Sequence, residues 1–166
     1  MSAGLERRLF LALWPGRVDA DRCQQWADTV VWTSGARRHG PADLHLTLHF
    51  LGATAEATRQ ALEQQLPRDI DPIGLQFDRW QDWDGTLVLR PSAVPAALVD
   101  LQAGLAETLA SIGLPVDSRP FRPHVTVARK AGGSRPATAP NWSWRASRLV
   151  LAESRQGYHP LWISPT

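Results

Sequence analysis

Two short blocks of the chain carry the same residue types in the same order. His45-Leu46-Thr47-Leu48 recurs 79 residues later as His124-Val125-Thr126-Val127. On a strand, residues two apart point to one face about 6.6 Å from each other, so an imidazole and a hydroxyl can reach different atoms of one small anion. Two such pairs facing across a groove would flank a phosphodiester. In its hydrolysis the incoming water and the departing oxygen lie roughly in line on opposite sides of phosphorus, so the base and the acid must come from opposite sides. His45 and His124 are the candidates for that pair. Thr47 and Thr126 would hydrogen-bond the non-bridging oxygens, and Arg129, five residues after His124, would balance the remaining charge.

Each residue also has a plainer explanation. One His-x-Thr on a strand is more often a hydrogen-bonded packing residue, and the duplication in matched settings is what points to chemistry. His49 shares the alternating face of His45 but lies about 13 Å along the strand, too far for both to grip one metal or phosphate, so it reads as structural. His39 and His159 stand outside the repeat and read as loop and strand-surface residues. Most of the eight Trp read as packing, with Trp142 and Trp144, in the basic C-terminal segment, available to stack on bases. Cys23 is the one cysteine, which excludes an internal disulfide; it reads as a helix residue.

The elements that must hold these groups follow from periodicity. Residues 8 to 14 form a short apolar run closed by Pro15, and residues 18 to 31 read as a helix. Residues 44 to 51 alternate, with Leu44, Leu46 and Leu48 on one face. A helix is expected over 54 to 66 with Thr54 as its N-cap. Residues 73 to 83 and 86 to 90 read as two strands around the Asp84-Gly85 turn. Residues 94 to 112 carry Leu98, Leu101, Leu105, Leu109 and Ile112 at helical spacing, with Gly113 as the stop. Residues 124 to 128 alternate again. A surface loop is expected over 131 to 140, then strands over 143 to 152 and 158 to 163. The order β-α-β-α-β-β-α-β-β-β predicts an α+β fold of mostly antiparallel sheet, and the repeat divides it into two related lobes.

At 166 residues with 43% hydrophobic and 20% charged, the chain suits one compact two-lobed domain over 1–166, not intrinsic disorder. No apolar run approaches the ~20 residues that span a bilayer. The opening MSAGLERRLFLALWPG holds only a brief apolar run without a small-residue cleavage site, so a secretory signal is not expected and the protein is assigned to the cytoplasm. Net charge is +2, but residues 1–117 carry −5 and residues 118–166 carry +7. Seventeen of the eighteen basic residues are Arg, whose planar fork suits phosphate, although an arginine-rich genome would give the same composition.

The blocks around these residues resemble the 2H phosphoesterases, named for two HxT or HxS motifs, and within them the bacterial RNA 2′,3′-cyclic phosphodiesterases of the 2′-5′ RNA ligase family. RLFLALWPG resembles the opening strand, DLHLTLHFLG the first motif, RPFRPHVTVAR the second and ESRQGYHPL the closing element, together covering nearly the whole chain. The resemblance implies a bilobal fold with pseudo-symmetric lobes, helices outside and a groove between. It implies that His45 and His124 are catalytic, that Thr47, Thr126 and Arg129 bind phosphate, and that Arg119 and Phe121 shape the pocket. His45 would be the acid and His124 the base. The implied reaction is hydrolysis of a terminal RNA 2′,3′-cyclic phosphate to a 2′-phosphomonoester, with reverse ligation in some members, no metal, no cofactor and a monomeric enzyme. The segment from Ser154 to Tyr158 is shorter than usual, which bears on substrate size. Two rival functions remain: the same chemistry on a small cyclic nucleotide, and a nucleotide- or RNA-binding module without turnover. A zinc protein built on these histidines fails on ligand spacing.

Overall fold

The computed structural model describes residues 6–165; the first five residues, part of the segment inspected for a secretory signal, lie outside it. Strand β1 (Arg7–Leu13) is buried from Leu9 onward because both its faces are covered. Leu9, Leu11 and Leu13 enter the main core. Phe10, Ala12 and Trp14 enter a second cluster with Val150 and Ala152, against which Tyr158 packs. The chain continues through α1 (Arg17–Ala27), a two-residue strand β2 (Arg37–Arg38), a 3-10 turn (Pro41–Asp43) and β3 (Leu46–Thr54), then α2 (Glu56–Gln65). The second half brings β4 (Ile73–Phe77), β5 (Arg79–Trp83), β6 (Thr86–Arg90), α3 (Ala96–Ser111) and β7 (Val125–Arg129). Strands β8 (Trp142–Ala146), β9 (Leu149–Ser154) and β10 (Tyr158–Ile163) close the fold.

Every strand pair is antiparallel, in an α+β architecture. The two halves share one sheet. One eight-stranded sheet runs β10-β9-β1-β3-β7-β6-β5, with β2 also paired to β7, and its two sides meet through the single register pair Leu46↔Val125 between β3 and β7. Each side contributes a strand-helix-strand unit, β1-α1-β3 and β6-α3-β7, in which the second strand pairs with the first. The repeated blocks therefore run antiparallel through one shared pair, an approximate two-fold relation.

Several expected elements divide. The segment 73 to 83 breaks at Asp78, whose carboxylate accepts the Ser92 backbone N–H at 2.8 Å, and 143 to 152 breaks after Ala146. The reason is the same in both: β4 and β8 leave the large sheet and pair with each other. Their inward residues, Ile73, Leu75 and Phe77 opposite Ala146, Trp144 and Trp142, fill the core. Trp142 and Trp144 are each 2% exposed, and the Trp142 indole N–H donates to the Asp19 carbonyl of α1, so neither is free to stack on a base. Helix α1 stops at Ala27, four residues short of the expected end, because Val31 forms a bridge with Arg135. Thr54 is not an N-cap: it ends β3, its hydroxyl donates to the Gly52 carbonyl, and α2 starts after Ala55 without a side-chain cap. The Asp84-Gly85 turn forms as expected, with φ 51° and 93° at its two residues.

Strand β3 carries two bulges against β1, between Leu11↔His49 and Ala12↔Thr47 and between Leu9↔Gly52 and Phe10↔Phe50. An extra residue resets which face each side chain takes. Residues paired across an antiparallel ladder share a face, so Thr47 lies with Ala12, His49 with Leu11 in the main core, and Phe50 with Phe10. His49 thus leaves the face of His45 altogether. It is 5% exposed, and its Nε2–H donates to the Gln102 carbonyl of α3 at 2.7 Å, which gives its structural role a specific partner.

Candidate active site

The pair Leu46↔Val125 is fully buried on the core side, so the residues flanking it in each strand project to the opposite face. Continuing the antiparallel register from that pair sets His45 across from Thr126 and Thr47 across from His124. All four line one cavity of about 250 Å³, together with Arg8, Phe10, Phe50, Arg129, Ser154 and Tyr158. Among the described residues no Asp or Glu lines it, and its formal charge comes from Arg8 and Arg129.

Both imidazoles are held in the same way. His45 Nδ1 lies 2.8 Å from the carbonyl of Asp43, and His124 Nδ1 lies 2.8 Å from the carbonyl of Arg122, in each case two residues back. A carbonyl only accepts, so Nδ1 carries a hydrogen and Nε2 is the atom left for proton transfer. The surroundings differ. His45 stacks on Trp14 at 4.7 Å between ring centres, meets Tyr158 edge-on at 4.6 Å and lies 5.0 Å from Phe10. Burial in this aromatic enclosure pushes its pKa down to about 4, against a smaller upward pull from the Asp43 carbonyl. His124 lies 4.6 Å from Trp83, and its pKa is also lowered, first by burial and then by the charges of Arg90, Arg122 and Arg129, with the Arg122 carbonyl opposing. Burial thus disfavours the charged form of both rings in the ligand-free protein.

Arg129, exposed at the end of β7, reaches the cavity and has no ion-pair partner among the described residues. It is available to an anion. Arg119 is not brought to this cavity. Its guanidinium is tied to Asp117, with Nε 2.9 Å from Oδ2, and it lines a neighbouring recess with Phe121, which packs against the main core. Three contributors escaped the sequence reading. Arg8 sits two residues before Phe10 on the same face of β1, an alternation that does mark it. Tyr158 arrives by the β9-β10 hairpin and Trp83 by the β5-β6 hairpin, and neither carries a local signal. His39 is closer than a loop residue was expected to be: its ring lies 5.7 Å from Tyr158, and burial lowers its pKa. Among the described residues no three His, Cys, Asp or Glu side chains are grouped to hold a metal ion. Cys23 is fully buried in α1, the helix expected for it, and burial pushes its thiol up to about 12.

The chain is 29% identical over 165 residues to the RNA 2′,3′-cyclic phosphodiesterase of Escherichia coli K12, covering 93% of this chain and 94% of that one. It is 33% identical over 119 residues to the RNA 2′,3′-cyclic phosphodiesterase of Bacillus subtilis 168, covering 66% and 65%. Among solved structures it is similar to a phosphoesterase at TM-score 0.84 and 27% identity, covering 95% and 97% of the two chains. It is also similar to Escherichia coli LigT complexed with 3′-AMP at TM-score 0.82 and 26% identity, with the same coverage. The family model of the 2′-5′ RNA ligase superfamily matches residues 18–157, a span that holds both histidine blocks, and the chain belongs to that superfamily.

Proposed function

We propose that this protein hydrolyses the 2′,3′-cyclic phosphate at the end of an RNA chain to a 2′-phosphomonoester. The observation that carries the reading is the convergence of His45, Thr47, His124 and Thr126 on one cavity, with each Nδ1 pinned so that each Nε2 is free. One Nε2 takes a proton from water as its oxygen bonds to phosphorus. The bond from phosphorus to the ribose 3′ oxygen breaks, and the other Nε2 gives that oxygen a proton. The phosphate stays on the 2′ oxygen, and the two rings exchange protonation states over the cycle. Thr47, Thr126 and Arg129 stabilise the charge on the non-bridging oxygens, which is greatest in the transition state. Phe10, Trp14 and Tyr158 exclude water from the His45 side and so strengthen these contacts.

The same ring opening with a 5′-hydroxyl in place of water, its proton taken by one Nε2 while the other protonates the ribose 3′ oxygen, gives a 2′-5′ linkage. They would also act on a nucleoside 2′,3′-cyclic phosphate, which the 250 Å³ cavity has room to engage at its phosphate end. A non-catalytic binding module has no use for two matched Nε2 atoms. Product analysis on a cyclic-ended oligoribonucleotide tests the reading. A 2′-phosphate product is expected, and recovery of unchanged substrate or of a 3′-phosphate would overturn it.

A further inference from the structure

Beside the catalytic cavity lies a second recess of about 430 Å³. It shares Thr47, Phe50 and His124 with the first, so a chain leaving one enters the other. Arg122 and Trp83 line it, and two more arginines, Arg90 and Arg79, gather beside that indole outside the lining. The Arg122 guanidinium lies 4.2 Å from the Trp83 ring centre and that of Arg90 5.6 Å from the same ring, while Arg79 stands directly across from Arg90 in the β5-β6 ladder. Among the described residues none of the three forms an ion pair. One acid, Asp117, lines the recess and is held there by Arg119, and Asp78 accepts from Ser92. Like charges set across a ladder oppose folding unless something offsets them. Burial first, then the charges of Arg122 and Arg79, lowers the Arg90 pKa.

We propose that this recess binds the phosphodiester joining the terminal nucleotide of the RNA substrate to its 5′ neighbour, with Arg122 as the clamp, Trp83 as its brace and Arg90 adding charge from beside the same indole. The proposal rests on the cyclic-phosphate reading above and names the substrate class within it. The guanidinium fork matches phosphate oxygens in pairs, and stacking on Trp83 holds the fork in place before the ligand arrives. Trp83 also touches the His124 ring, so the clamp stands one side chain from the reacting phosphate. Phe50, 66% exposed on the partition between the two cavities, offers a face for a base. An RNA with at least one linkage ahead of its cyclic end is therefore a better substrate than a free nucleoside cyclic phosphate.

The test compares kcat/KM for three substrates: a nucleoside 2′,3′-cyclic phosphate, a cyclic-ended trinucleotide, and that trinucleotide with an uncharged methylphosphonate at the linkage next to the end. For the wild-type protein the natural trinucleotide should exceed both others by about ten- to a hundredfold, the scale of one charge-assisted contact. In an Arg90→Gln/Arg122→Gln variant the penalty for the methylphosphonate should nearly vanish, as expected when both partners of one contact are removed. Arg122→Lys, which keeps the charge and loses the fork, should fall between. No methylphosphonate penalty in the wild type, or an equal penalty in the variant, overturns the clamp. If the wild type turns over none of the three, the cyclic-phosphate reading fails by itself. The clamp is then tested by fluorescence anisotropy on 2′-phosphate-ended trinucleotides, and equal affinity for the charged and neutral linkages overturns it.

Discussion

At the scale of single residues, His45 and His124 have the same tether and different enclosures, and pH separates the two facts. The active form needs one ring charged and one neutral. With His45 lowered to about 4 and His124 lowered from the ordinary ~6.5, the bell for kcat/KM should peak on the acid side of ~6.5. Bound phosphate favours the charged rings and should draw the kcat bell back toward neutrality. A kcat/KM maximum above pH 7 would contradict the enclosure argument. Stability follows with a definite sign: between about 4 and ~6.5 the unfolded chain binds a proton that folded His45 resists, so stability falls as pH falls through that window. Urea unfolding should show a loss of about 2 kcal/mol from this ring between pH 7 and 5, and His45→Gln should remove it. His45→Ala and His124→Ala should each lower turnover by about 10²- to 10⁴-fold, with the double variant far short of the product. Thr47→Val and Thr126→Val should cost about 1.5 to 3 kcal/mol of transition-state stabilisation each, and Arg129→Ala at least as much. Wild-type kinetics in Arg129→Ala would remove that residue from the site. These residues were legible because the sequence prints them twice. Arg119 was not, because a carboxylate two residues away captures it, a local contact that no motif records.

At the scale of elements, alternation located nearly every strand and missed where strands change partners. Residues 73 to 83 and 143 to 152 each look continuous because inward positions on either sheet need the same apolar types. Only the third dimension shows that β4 and β8 belong to a small sheet of their own. The bulge between Thr47 and His49 is equally silent: the printed alternation continues through His49 while the backbone turns it to α3. Without that extra residue two histidines would crowd one groove face. The small sheet is also where a base-stacking role was expected and a core was found. Trp142 stacks on Phe77 at 5.0 Å and on Trp144 at 5.7 Å. Trp142→Ala should therefore destabilise the fold by about 3 to 5 kcal/mol in urea titration while leaving kcat at low temperature unaltered. Lost turnover with unchanged stability would return that indole to the ligand.

At the scale of the whole molecule, the charge asymmetry of the sequence acquires a location. The C-terminal segment of charge +7 supplies Arg122 and Arg129 beside the reacting groups, and Arg8 and Arg90 join them from the other segment. Oligonucleotide affinity should fall as salt rises. Since protons are moved by imidazoles and phosphate charge is met by Thr and Arg, turnover should persist in excess EDTA. Loss of activity in chelator that a divalent ion restores would falsify the two-histidine mechanism, even if both rings proved essential. The position of the last hairpin has a temporal consequence during synthesis. Strand β9 pairs with β1, so the opening strand waits for residues roughly 140 positions later before its second edge is covered. Ser154 and Tyr158, near the end of the chain, line the same cavity as Arg8 and Phe10 near its beginning. Such long-range closure slows folding and makes it all-or-none. A nascent chain not yet extended past residue 149 has every proton-transfer group but lacks Tyr158 and the Val150 and Ala152 that back Phe10 and Trp14, so ribosome-bound intermediates should remain inactive and protease-sensitive until the final hairpin emerges and docks.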